Sequence, residues 1–318
     1  MRSTMLVCTG LLLSGITFAQ TDWSKVDFAE KYKLEVKIPG KAAKSLEKNK
    51  TFVNSYVVSQ ATTMKGSEKS ATKAVYSEVS LAGLDNATYQ IMVNELYQDF
   101  VKDLKRAGII VTNGDDAIAS DYAQKRLDKI KDSEFIGKTG DNPAYEGKKK
   151  ITDGAIPGYG AWAVTRDVSF PPSNANQYTS SNIVTSGLFY QNMATKENFN
   201  LLSIHFYVAF ANFEGGKGYK SINLATKPVM SVNAQVMLMA PGGAYGKIFF
   251  KKLPVWASTT WSEGIVKGKD NKDMSDFLGL ARSADYEVTA NSEAYVNELK
   301  SIIKKLQADI VSEIKAQL

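Results

Sequence analysis

Apolar residues change their spacing several times along this chain, and each change predicts an element. "TFVNSYVVSQATTM" (51–64) and "KAVYSEVSLAGL" (73–84) are rich in β-branched and aromatic residues, so both read as strands, with "KGSEKS" as the turn between them. In "LDNATYQIMVNELYQDFVKDLKRAG" (84–108), Val93, Leu96, Phe100, Leu104 and Ala107 recur at helical spacing. Asp85 or Asn86 is placed to cap this helix, Lys105 and Arg106 fall in its last turn, and Gly108 ends it. "IIVT" (109–112) reads as a short buried strand, and Asp115–Asp116 open a second helix to about Lys131.

Residues 136–160, rich in Gly and Pro, read as a long irregular loop. From 161 to 290 the pattern is β. In "NLLSIHFYVAFANF" (200–213), Leu202, Ile204, Phe206, Val208 and Phe210 share one face, and Ser203, His205 and Tyr207 share the other. "PVMSVNAQVMLMA" (228–240) and "GKIFFKKLPVWA" (246–257) continue the pattern. The chain closes with a long amphipathic helix, 291–318, capped by Asn291 or Ser292. Its apolar stripe of Val296, Leu299, Ile303, Leu306, Ile310 and Ile314 suits packing on its own sheet, or self-association as a coiled coil.

The expected fold is therefore α/β of the mixed α+β kind, a sheet flanked by helices with a β-rich second half. In chain order it runs as a leader 1–19, an α/β part 20–135, the loop 136–160, a β-rich part 161–290 and the helix 291–318, packed as one or two domains.

The amino terminus changes the picture from fold to location. "MRSTMLVCTGLLLSGITFAQ" has Arg2, an apolar run from Met5 to Phe18, and small Ala19 at its end. That is the form of a secretory signal peptide cut after Ala19. Its apolar run falls short of the about 20 residues a spanning helix needs. A lipoprotein cut before Cys8 is the competing reading, but bulky Val7 stands where a small residue is required. Export to the periplasm, the outer membrane or the medium is expected. If Cys8 leaves with the leader, the mature chain has no cysteine for a disulfide or a thiolate metal site.

Charge adds little. The formal net charge is +6 with lysine dispersed along the chain, which favours solubility rather than the basic, aromatic-studded face of a nucleic-acid protein. The chain has one histidine, His205, which excludes zinc sites built on histidine pairs and leaves a Ser-His-Asp triad with no nucleophile elbow. "KDNKDMSD" (269–276) lacks the glycine and closing glutamate of a calcium loop. No cofactor and no metal are expected.

"MAPGGAYGKIFF" (239–250) imitates a phosphate loop. However, Gly242 and Gly246 enclose three residues instead of four, Ile248 replaces the hydroxyl residue after Lys247, and a strand follows where a helix is needed. "PGGAYG" reads as a hairpin turn, Lys247 as a hydrated charge on the next strand, and no nucleotide is expected.

Two chemistries remain. A carboxylate-dependent glycan-active enzyme needs one pair among 33 acidic residues, and no spacing singles it out. Sugar binding uses exposed aromatics, for which Tyr159, Trp162, Trp256 and Trp261, in or beside loops, are the candidates, the alternative being that they pack in the core.

Residues 74–119, "AVYSEVSLAGLDNATYQIMVNELYQDFVKDLKRAGIIVTNGDDAIA", resemble the strand, long helix, short strand and second helix of curli-secretion-channel-type periplasmic domains. The resemblance implies an envelope protein, with later paired strands able to form a membrane hairpin. It carries over no functional residue. Three functions follow as expectations: a non-catalytic binding or structural component of the cell envelope or secretome, a glycan-active enzyme, and a subunit of an oligomeric envelope channel. Partners would be a glycan or an envelope protein.

Overall fold

The computed structural model describes residues 34–69, 74–112, 161–166, 191–217, 222–250, 261–270 and 281–318. The elements in chain order are β1 (Leu34–Lys37), α1 (Gly40–Lys48), β2 (Thr51–Ala61), β3 (Thr63–Lys69), β4 (Ala74–Ala82), α2 (Asn86–Arg106), β5 (Ala161–Arg166), α3 (191–197), β6 (Asn200–Lys217), β7 (Ile222–Met239), β8 (Tyr245–Phe250), β9 (Ser262–Asp270), β10 (Ala281–Ala290) and α4 (Ser292–Lys315). The mixed α/β expectation holds, with helices laid on sheets and a long helix at the carboxyl end.

Two sheets share the strands. The larger runs β1-β8-β7-β6-β2-β5, and the smaller runs β3-β4-β10-β9. β1, β8, β7 and β6 are antiparallel neighbours, while β2 lies parallel to both β6 and β5. One run of chain serves both sheets: β2 ends at Ala61, bends at Thr62, and resumes as β3. Such a bend is how a strand changes sheets at a corner. The "KGSEKS" turn expected from sequence is therefore mostly strand, because Lys65–Lys69 pair with β4.

The β6–β7 hairpin is long enough to serve both sheets as well. Its proximal half sits in the larger sheet. A register shift between Ala209 and Ala211 re-aims the distal half, as a bulge does, and that half lies over β3 and β4. Gly66 of β3 lies directly against Phe213 of this half. A Cβ there would stand 2.4 Å from the Phe213 ring.

In the smaller sheet, β4 and β10 are parallel neighbours, and each leads directly into a helix. The two helices, α2 and α4, consequently run side by side in the same direction, with Glu95 paired to Lys300 and Asp99 to Lys304. Asp85 caps α2 by accepting from the Thr88 amide at 2.8 Å, and Asn291 caps α4 by accepting from the Ala294 amide at 3.0 Å. The two starts touch, since the Asp85 amide donates to Ser292 Oγ at 3.0 Å. Gly83, at φ +81°, occupies this corner, a conformation that glycine adopts without steric cost.

Both helices bury their stripes against the larger sheet. Val93, Leu96, Phe100 and Leu104 of α2 and Leu299, Ile303, Leu306 and Ile310 of α4 are fully buried with Ile204, Phe206, Val208, Val236 and Leu238 of the sheet. The stripe offered above for self-association thus lies inside the chain's own core. Residues 200–213 and 228–239 lie in internal strands of this sheet, with one face under helices. No helix among the described residues is long and apolar enough to cross a membrane.

Two polar groups pin this layer. Asn200, fully buried, accepts from Ser45 Oγ at 2.6 Å and donates to the Ser45 carbonyl at 3.0 Å, so α1 is held to the start of β6. Gln60 accepts from the Tyr295 hydroxyl at 2.8 Å, tying β2 to α4. Residues 109–112 make a single bridge, Thr51 to Val111, in place of the expected strand, with Ile109 buried and Ile110 exposed. The second helix expected from Asp115 and the loop 136–160 lie outside the described residues.

Candidate functional site

The helix-covered face of the larger sheet is apolar, so any polar chemistry on this sheet belongs to its other face. Strand alternation places Ser203, His205 and Tyr207 of β6 there, together with Ser231, Asn233, Gln235 and Met237 of β7 and Lys247 and Phe249 of β8. Glu35 and Lys37 of β1 complete the edge, because Leu34, Val36 and Ile38 pack into the core.

Register arranges these residues in rows. Along one row Glu35 faces Phe249, Phe249 faces Gln235, Gln235 faces His205 and His205 faces Val57. Along the next, Lys37 faces Lys247, Lys247 faces Met237 and Met237 faces Ser203. On the other side Tyr207 faces Asn233. Side chains directly opposite on neighbouring strands stand about 4.5–5.5 Å apart at Cβ, so each row is a continuous surface.

The His205 and Tyr207 rings stack with centroids 4.2 Å apart and an interplanar angle of 24°. Exposure grades across the face. Lys37 has 56% of its side chain exposed, Gln235 and His205 are half-buried, and Tyr207 is 1% exposed. The face is open along β1 and β8 and closed toward Tyr207. Buried polar side chains cost stability unless bonded. Ser203, His205 and Ser231 have partners, whereas the buried Tyr207 hydroxyl has no hydrogen-bond partner among the described residues and its ring is held by the stack on His205.

The other polar cluster lies under the helices. Gln307 donates to Tyr56 and to the Leu96 carbonyl, and Gln60 accepts from Tyr295 and, at 3.4 Å, from Tyr89. Burial pushes the phenols of Tyr56, Tyr89 and Tyr295 well above their usual range. These hydroxyls stay protonated and sealed from solvent, so they act as struts of the core.

The aromatic candidates separate. Trp261 is fully buried, edge-on to Tyr295 at 4.9 Å between centroids and 88°, so this ring packs in the core and is out of reach of a ligand. Trp162 holds the register position beside Val57, at the end of the His205 row. Tyr159 and Trp256 lie outside the described residues.

The "PGGAYG" segment is the turn between antiparallel β7 and β8, with Gly242 and Gly243 at φ 76° and 79°. Lys247 follows it as a strand residue, half-buried with its ammonium 5.0 Å from the Phe249 ring. It is therefore less hydrated than a free surface lysine. Among the described residues no group of His, Cys, Asp or Glu is placed to hold a metal ion. Sequence reasoning placed His205 on one strand face with Ser203 and Tyr207 and weighed Lys247 only as a phosphate-loop residue. It did not single out Gln235, Phe249 or Lys37, whose only signal was alternation within separate strands. No protein-family model, curated protein or solved structure matches this chain.

Proposed function

We propose that this protein is an exported, non-catalytic binding component of the cell envelope or secretome, and that it recognises a glycan on the polar face of its larger sheet. The observation that carries this reading is the row Phe249–Gln235–His205 beside stacked Tyr207. An aromatic ring offers an apolar plate to the C–H face of a sugar, while amide and imidazole groups donate to and accept from its hydroxyls. Binding sites combine such apolar area with a few placed polar groups, and central strands hold those groups more rigidly than loops do.

Export rests on residues 1–19. It is tested by the intact mass of the protein from its native host, expected to begin at Gln20. A mass that includes acylated Cys8 would contradict it.

The binding reading is tested with soluble envelope polysaccharide fractions and calorimetry, comparing the mature chain with Gln235→Leu and His205→Phe. Each substitution keeps side-chain bulk and removes hydrogen bonding. A loss of affinity of at least tenfold in either, with the melting temperature retained, is expected. Unchanged affinity in both would remove the polar face as the site.

A further inference from the structure

Resting on that reading, the charge at the open end of the face names the ligand class more closely. Lys37 and Lys247 stand opposite each other in the antiparallel pairing of β1 with β8. Their ammonium groups lie 5.5 and 5.0 Å from the centroid of the same ring, that of Phe249. Like charges placed directly opposite on neighbouring strands repel. Glu35 offsets one of them, with Lys37 Nζ 2.6 Å from Glu35 Oε1. Lys247 has the ring beside it and no carboxylate partner among the described residues. Among the described residues, two cations and one anion surround this aromatic ring, one positive charge in excess.

That excess is adjacent to hydrogen-bonding side chains. Gln235 faces Phe249 across β7, and His205 faces Gln235 across β6. From β1 to β6 are three strand spacings, about 14 Å at roughly 4.8 Å each, which is room for several sugar units side by side. The excess charge sits at the exposed end of that run, where a ligand would enter.

We propose that this edge takes the carboxylate of an acidic saccharide of the hexuronate type. In this arrangement Lys247 and Lys37 hold the carboxylate, the Phe249 ring lies against the sugar, and Gln235 and His205 bond the hydroxyls of the next units. Lysine meets a carboxylate as a point charge, without the fixed fork of arginine, so a ligand whose acidic groups vary in orientation along a chain is accommodated. A nucleic acid would require a longer basic stripe to follow its phosphates. An acidic peptide offers carboxylates but fewer hydroxyls for Gln235 and His205.

The test is calorimetry on the mature chain with three probes of equal length: a hexuronate oligosaccharide, the neutral hexose oligosaccharide of the same linkage, and an oligoglutamate peptide. The hexuronate is expected to bind at least tenfold more tightly than either other probe, and more weakly as salt screens the charge. Lys247→Gln and the more exposed Lys37→Gln should each reduce that preference several-fold while melting at the temperature of the unaltered protein. Should Lys247→Gln fail to fold, Lys37→Gln carries the test. Equal binding of hexuronate and neutral hexose would overturn the acidic class while leaving the glycan reading of the face intact. Equal or tighter binding of oligoglutamate would overturn the saccharide class. Binding of no saccharide at all would overturn both.

Discussion

Gln307, on α4, donates its side-chain amide to the hydroxyl of Tyr56, on β2, at 2.7 Å, with both groups sealed from solvent. The same amide donates to the Leu96 carbonyl at 3.0 Å, so one side chain links the last helix, α2 and a central strand.

Gln307→Leu should cost about 1–3 kcal/mol, because a buried hydroxyl and a carbonyl lose a donor while the cavity stays filled. The double variant with Tyr56→Phe should recover part of that loss, since removing both partners is cheaper than orphaning one. Urea denaturation measures both. A single-variant loss below about 0.5 kcal/mol, the usual spread of surface sites, would mean the link is not made.

Gly83→Ala should destabilise by about 1–3 kcal/mol, the cost of a non-glycine residue held in a disfavoured backbone region. The backbone there is at φ +81°, and an added Cβ would stand 2.4 Å from the Ala290 carbonyl oxygen, which cannot swing aside as a side chain would. Thermal unfolding of the variant reports whether the starts of α2 and α4 abut. An unchanged melting temperature would separate them.

These two positions show what the amino-acid pattern discloses and what it withholds. The stripes of α2 and α4, their caps at Asp85 and Asn291, and the two faces of β6 were legible, because each depends on residues close in sequence. Helix α1 was not: "GKAAKSLEK" is lysine-rich, and three buried residues, Ala42, Ala43 and Leu46, are its whole apolar signal. "KGSEK" reads as a turn by composition but is held as strand by pairing with β4. Tertiary context overrides such weak local preferences. The candidate site was half legible. His205 and Tyr207 share a strand, whereas Lys37 and Lys247 meet only through a register between distant segments. Trp261, flanked by loop-like sequence, is core because α4 presents Tyr295 to it.

Acid should weaken the helix layer in a defined window. The Thr88 hydroxyl and amide hold the Asp85 carboxyl below its usual range, and Lys304, 2.7 Å away, does the same for Asp99. A carboxylate whose pKa is lower folded than unfolded adds stability that is complete above the unfolded value, about 3.9, and is lost as pH falls through the folded one. The difference in melting temperature between the unaltered protein and Asp99→Asn should therefore be largest near neutrality and shrink below about pH 4. A difference that stays constant from pH 7 to pH 3 would show that the ion pair with Lys304 does not favour the charged form.

If ligand meets the polar face of the larger sheet, His205 is its built-in reporter. As the one histidine of the chain, it gives a single imidazole signal when the protein is made with ¹³C-labelled histidine. On titration with a soluble envelope polysaccharide fraction that the protein binds, that signal should shift or broaden in proportion to occupancy, and the methyl signal of Met237, on the same face, should move with it. The buried methyls of Met92 and Met230, in the core on the helix side, should stay in place. An imidazole signal and a Met237 methyl signal that both remain unmoved at saturating ligand would place binding elsewhere.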